Sequence, residues 1–201
     1  MRAKIVFAVI ALFVLIAVPS FAELYTEWLW FGELGYENVF LKSLVTKGVL
    51  GSVVFLLAFL VLAGNLRMAV KGPNRSYVVF PGGGDLKPLV LEQQHLGWLS
   101  VGVSMLLALF IASIASSQWL VALQFLESTP FGQFDPVFGR DAAFYIFTLP
   151  FLDFARFVLL AVVVLSLVGS TAAYVVSGQL SLESSGLKIG SRPRRHLLVL
   201  V

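Results

Sequence analysis

Four stretches of this chain, residues 5–22, 48–66, 96–117 and 157–182, run without a single charged side chain. About 20 apolar residues suffice for a helix to cross the hydrocarbon core of a bilayer. Only helices and closed barrels keep every backbone polar group paired there. A fifth apolar run opens at Leu197 and reaches Val201. Charged residues make up 12% of the chain, half of the roughly 25% usual in soluble domains. The expected fold is therefore all-α: a polytopic transmembrane helical bundle over residues 1–201, with four spans and the start of a fifth at 197. Because the chain stops five residues into that last run, it reads as the N-terminal part of a longer protein.

The first run has a second reading. A basic start, an apolar middle and Ser20-Phe21-Ala22 before Glu23 resemble a cleavable secretory signal. Against this, the run is long for a signal, and the aromatic "LYTEWLWF" after it suits a membrane interface. An uncleaved span is the expectation.

Charge sets orientation. With the N-terminus inside and every span crossing, the inside segments hold Arg2, Lys4, Arg67, Lys71, Arg75, Lys87, Lys188, Arg192, Arg194 and Arg195, ten of the 14 basic residues. The outside segments hold eight of the 11 acids. This distribution follows the positive-inside rule and predicts a cytoplasmic N-terminus in a bacterial inner membrane. The net charge of +3 is too small and dispersed for nucleic acid. The implied partners are the lipid bilayer, and other envelope proteins or a second copy.

No cofactor or metal site is expected. Cysteine is absent, and the two histidines, His95 and His196, lie far apart without suitably spaced carboxylates. His95, beside Glu92, reads as an interfacial polar cap rather than a proton relay. "PGGGD" at 81–85 lacks the Lys-Ser/Thr of a phosphate loop and no buried strand is expected before it, so it reads as a turn within a breaker-rich segment, 74–88. Residues 184–193 read as polar and flexible. No catalytic constellation emerges, and an enzyme is not expected.

Two features carry structure. In the third span Ser100, Ser104, Ala108, Ala112 and Ser116 recur every four residues, a small-residue face that lets helices approach closely. Ser166, Gly169, Ser170 and Ala173 repeat the device in the fourth. Between these spans Trp119, Leu120, Leu123 and Leu126 are spaced for a short extracytoplasmic helix at the interface. The second feature is "DPVFGRDAAFYIFTLPFLDFARF" at 135–157, which sets Asp135, Arg140, Asp141, Asp153 and Arg156 among phenylalanines. Asp135-Pro136 starts a turn, Gly139 permits a bend, and Asp141 is placed to cap a short helix. Pro150 is expected to kink or break that helix before the fourth span. Asp153 and Arg156 are spaced to pair. As boundary charges these residues pin a scaffold. The alternative is the vestibule of a transporter or channel, with Arg140 and Asp141 as selectivity charges; an enzyme acting on envelope lipid is a third reading.

The segment "DPVFGRDAAFYIFTLPF" resembles the most distinctive motif of uncharacterised protein family 0182, bacterial multi-pass membrane proteins. "LWFGELGYENVF", "NRSYVVFPGGGD" and "RPRRHLLVL" resemble further segments of that family, so the likeness covers essentially all 201 residues. The resemblance implies about seven N-terminal spans followed by a large extracytoplasmic domain. It carries over no activity and no catalytic position.

Overall fold

Uncharged sequence becomes helix here with few interruptions. The computed structural model describes residues 2–71, 76–80, 89–177, 179–183 and 186–200. The order is α1 (Arg2–Glu33), α2 (Glu37–Val70), β1 (Ser76–Phe80), β2 (Leu89–Glu92), α3 (Gln93–Ser117), α4 (Trp119–Leu126), a π-helical turn (Phe144–Thr148), α5 (Leu149–Val176), β3 (Leu180–Glu183), β4 (Gly186–Ile189) and α6 (Ser191–Leu200). Among the described residues, three helices are long and apolar enough to cross a membrane: Glu37–Val70, Gln93–Ser117 and Phe144–Val176. They contain the second and third expected spans and residues 157–176 of the fourth; the expected end of that span is corrected, because residues 180–182 lie in strand β3. The first expected span falls in α1, where several side chains lie outside the described residues. α6 reaches Leu200, while Val201, the end of the fifth apolar run, lies outside them.

The chain divides into two units, Met1–Thr46 and Lys47–Val201. In the first, Gly35 at φ 72° reverses the chain after α1, a backbone conformation that glycine adopts without steric cost. The Tyr36 amide donates to the Phe31 carbonyl, and the Phe31 and Phe40 rings lie 5.8 Å apart.

The second unit is a helical bundle whose interior is lined by small side chains. Ser100, Ser104, Ala108 and Ala112 on α3 are buried, with Ser116 half-buried at the end of the row. Ser166 and Ser170 do the same on α5. A core of Val54, Ala58 and Leu62 from α2, Ala108, Ile111 and Ala115 from α3, and Val162 from α5 lies between them. Val70 and Leu96 form a second cluster against Ala173 and Val176. Larger residues such as Leu60, Leu106, Phe110 and Leu159 face outward. Lipid is as apolar as leucine, so close packing of small faces, not water exclusion, drives association in a bilayer. Gly51 of α2 comes against Ser116, and a Cβ at Gly169 would stand 2.9 Å from Leu66 Cδ1. The serines on α3 bond to their own helix: Ser100 Oγ donates to Gly97 O at 2.8 Å and Ser104 Oγ to Ser100 O at 2.7 Å. Ser116 Oγ instead crosses to the Lys47 carbonyl of α2 at 2.7 Å.

Three further expectations are corrected. The segment read as a breaker-rich turn contains strand β1, antiparallel to β2 with Ser76 opposite Glu92. A strand thus does precede "PGGGD", whose own residues, 81–85, lie outside the described ones. The missing Lys-Ser/Thr still argues against a phosphate loop. Likewise, the segment read as flexible holds strand β4, paired with β3 from Leu180↔Ile189 to Glu183↔Gly186, and the first turn of α6. Alternating residues in "LSLE" and "GLKI" suit a two-residue period, and a proline is tolerated in a first helical turn. Finally, of the kink or break expected at Pro150, the break is not found. Helical backbone continues from residue 142 to 176, and the Leu149 amide reaches five residues back to Phe144 O. The wider π turn sits where a proline ring would crowd an ordinary helical carbonyl.

Candidate functional site

The charged residues singled out in the sequence gather in two places. Asp135, Arg140 and Asp141 share one loop, residues 131–141, between α4 and the π turn. Its ends are tied by backbone bonds: the Asp135 amide donates to Arg140 O at 2.8 Å, and the Ala142 amide to Gln133 O at 2.8 Å. Gly139, at φ 63°, turns the chain and donates its amide to Asp135 O at 2.8 Å.

The two carboxylates close this loop from within. Asp141 accepts the Ala143 amide at 2.8 Å, as a helix cap should, and also the amides of Gly132 at 2.8 Å and Phe131 at 3.1 Å. Asp135 accepts the amides of Phe138 at 2.9 Å and Val137 at 3.2 Å, and the Tyr145 hydroxyl at 2.8 Å. The Phe138 amide, then the Tyr145 hydroxyl and the Val137 amide, hold the Asp135 carboxyl below its ordinary range. The Ala143 amide, followed by those of Phe131 and Gly132, does the same for Asp141. Hydrogen bonds made to the ionised form are the cause in both cases. The Arg140 guanidinium lies 5.3 Å from the centre of the Phe144 ring, an attraction between cation and ring face.

Aromatic contacts fasten α4 to α5 and the loop to the π turn. Phe125 of α4 stacks on Phe151 at 4.2 Å, and Phe131 lies 5.7 Å from Phe147. The short helix expected between the third and fourth spans is present as α4, and Lys47 Nζ sits 5.4 Å from the Trp119 ring. Asp153 and Arg156 pair at 3.2 Å on an exposed face of α5, a contact of about 0–1 kcal/mol at such exposure. They form a separate pair and do not join the loop network. His95 lies 3.9 Å from Glu92, both exposed, at the start of α3.

A further polar junction went unread in the sequence. Tyr174 of α5 is buried, and its hydroxyl meets His196 Nδ1 at 2.9 Å. His196 Nε2 meets Asn65 Oδ1 of α2 at 2.8 Å, while Asn65 Nδ2 donates to Val61 O. A neutral imidazole protonated at Nε2 satisfies both contacts. Burial first, and the nearby Arg192 charge second, hold the His196 imidazole below its ordinary range. Arg192 also donates to the carbonyl of Lys71, so α6 is fastened both to α2 and to the residue that follows it. The available signal was an amide and a histidine at charged edges of apolar runs, Asn65 near Arg67 and His196 after Arg195, and one phenol, Tyr174, inside the uncharged run 157–182. Among the described residues, no group of three His, Asp or Glu side chains is arranged to hold a metal.

The model of the Uncharacterised protein family (UPF0182) matches residues 4–201. A UPF0182 protein of Geobacter sp. (strain M21) is 37% identical over 186 residues, covering 88% of this chain and 20% of the relative. One from Mycolicibacterium paratuberculosis is 34% identical over 204 residues, covering 100% of this chain and 20% of its own length. For one from Moorella thermoacetica the values are 34% over 202 residues, 93% and 22%. The chain thus spans about a fifth of the length of these relatives. No solved structure matches it.

Proposed function

This chain belongs to the Uncharacterised protein family (UPF0182), and from that premise we propose that it is a non-catalytic platform in the bacterial inner membrane that anchors and orients extracytoplasmic polypeptide. Its N-terminus and the α6 basic cluster face the cytoplasm, and the 131–141 loop faces outward. Three helices of membrane-crossing length and the charge asymmetry of their flanks support this arrangement. Its partners are the bilayer and other envelope polypeptides.

One observation carries the choice of scaffold over conduit. A charged vestibule needs side chains turned toward a passing solute. Asp135 and Asp141 instead spend their oxygens on the amides and hydroxyl of their own loop and helix start, and Arg140 lies over Phe144. They act as internal braces at the end of a membrane-length helix.

The test compares Asp135→Ala and Asp141→Ala with the parent protein for folded yield in membranes and for ion and solute flux in proteoliposomes. The platform reading expects reduced folded yield from both variants and no flux from the parent. Flux through the parent that either variant alters while folding normally would establish the conduit instead.

A further inference from the structure

The 131–141 loop presents an apolar rim. Phe134, Val137 and Phe138 are 69%, 77% and 74% exposed, and Phe131 is 50% exposed. These side chains stand on a framework braced by Asp135 and Asp141, so the rim is a fixed surface. Contiguous exposed apolar patches on otherwise polar loops usually mark a surface that something covers.

The height of the rim decides between lipid and protein. The uncharged part of α5 from residue 157 to 176 is about 20 residues long, or about 30 Å, and alone fills the hydrocarbon core. Packing places the other helices in register with it. Ala115, near the end of α3, shares a core with Val54 of α2 and with Val162, against which Phe154 and Val158 pack. At the opposite end, Val70 and Leu96 meet Ala173 and Val176. The helix from 142 to 156, with Asp153 and Arg156 on it, therefore continues beyond the core. Residues 142–176 together rise about 52 Å, and at a tilt of about 40° they still span about 40 Å, about 10 Å more than the core. The headgroup zone is only about 5–8 Å deep on each side. The rim lies above it.

We propose that this rim is the docking surface for the remainder of the full-length polypeptide, corresponding to the roughly four-fifths of the relatives that lies outside the part matched by this chain. The inference rests on the platform reading and names its contact point. Docked polypeptide would cover Phe134, Val137 and Phe138, while Asp135 and Asp141 stay within the loop.

Photo-crosslinking tests it. Benzoylphenylalanine replaces Phe134 or Phe138, both exposed and therefore tolerant of the change, in the protein made at its full native length in its own membrane. The expected product is a crosslink within the same polypeptide, to peptides outside residues 1–201. Adducts with phospholipid, with a separate protein or with residues 1–201, or the absence of any adduct, would overturn the proposal. Labelling of Val137→Cys with a membrane-impermeant reagent separates the two failures. An outside label without the expected crosslink overturns the docking alone; a label reachable only from inside overturns the platform reading beneath it.

Discussion

Leu62 and Leu60 are two residues apart on α2, yet Leu62 is 0% exposed inside the core and Leu60 is 66% exposed on the outside of the bundle. Truncating each to alanine separates packing from hydrophobicity. In a water-soluble core, Leu→Ala costs about 2.7–5.0 kcal/mol, the sum of a transfer and a cavity contribution. The transfer part, three carbons at about 0.8 kcal/mol each, is about 2.4 kcal/mol. In a bilayer that part largely vanishes, because the separated helix still lies in hydrocarbon. Leu62→Ala should therefore cost about 0.3–2.6 kcal/mol, from lost contacts with Val54, Ala58 and the facing α3 residues. Leu60→Ala should be near zero, because lipid replaces what it touched. The assay is reversible unfolding of the purified protein in mixed micelles, followed by circular dichroism while denaturing detergent is titrated. Equal costs at the two positions, or a larger cost at Leu60, would refute the assignment of inside and outside on α2.

Other perturbations follow from single contacts. Gly169→Val should destabilise by about 1–3 kcal/mol through overpacking against Leu66, and Leu66→Ala should relieve part of this in the same unfolding assay. Tyr174→Phe should cost about 0.5–1.5 kcal/mol for the lost hydroxyl contact to His196, and little further when His196→Leu is already present. The His196 proton affinity is depressed in the fold, so the junction's contribution is complete above the unfolded pKa of about 6.5 and declines as pH falls through the lower folded value. Melting curves across that window should lose this slope in His196→Leu. The Asp135 and Asp141 carboxyls are also depressed. Their bracing is present above the ordinary carboxylate range and fails as pH falls through their folded values, which proteolysis within residues 131–141 should report as faster cutting in acid.

The bundle was legible because lipid imposes a simple rule on sequence: long uncharged runs, bounded by charge, with small residues on the faces that touch. The Ser100-to-Ser116 row and its buried counterpart Ser166 and Ser170 follow from it directly. Asp141 as a cap and Asp153 with Arg156 as a pair were readable because capping and i,i+3 pairing are local. The loop's other links were not: Asp135 to Tyr145 and Asp141 to Phe131 each span ten residues, a distance no helical or strand period predicts. The Asn65–His196–Tyr174 junction joins residues as much as 131 positions apart, and only the packing of α6 brings them together. The hairpins were missed because breakers dominated segments whose flanks alternate. At Pro150 the sequence left a kink and a break both open, because a simple breaker rule omits the π turn by which a helix passes a proline unbroken.

A platform of this kind needs the 131–141 loop and the α6 basic cluster on opposite sides of the membrane. The chain contains no cysteine, so a single introduced thiol reports its own side of the membrane without background. Val137→Cys and Ser191→Cys are each treated with a membrane-impermeant maleimide, in intact spheroplasts and after lysis. The account predicts that Val137→Cys labels in intact spheroplasts and Ser191→Cys only after lysis. Labelling of both from one side, or the reverse pattern, would contradict it.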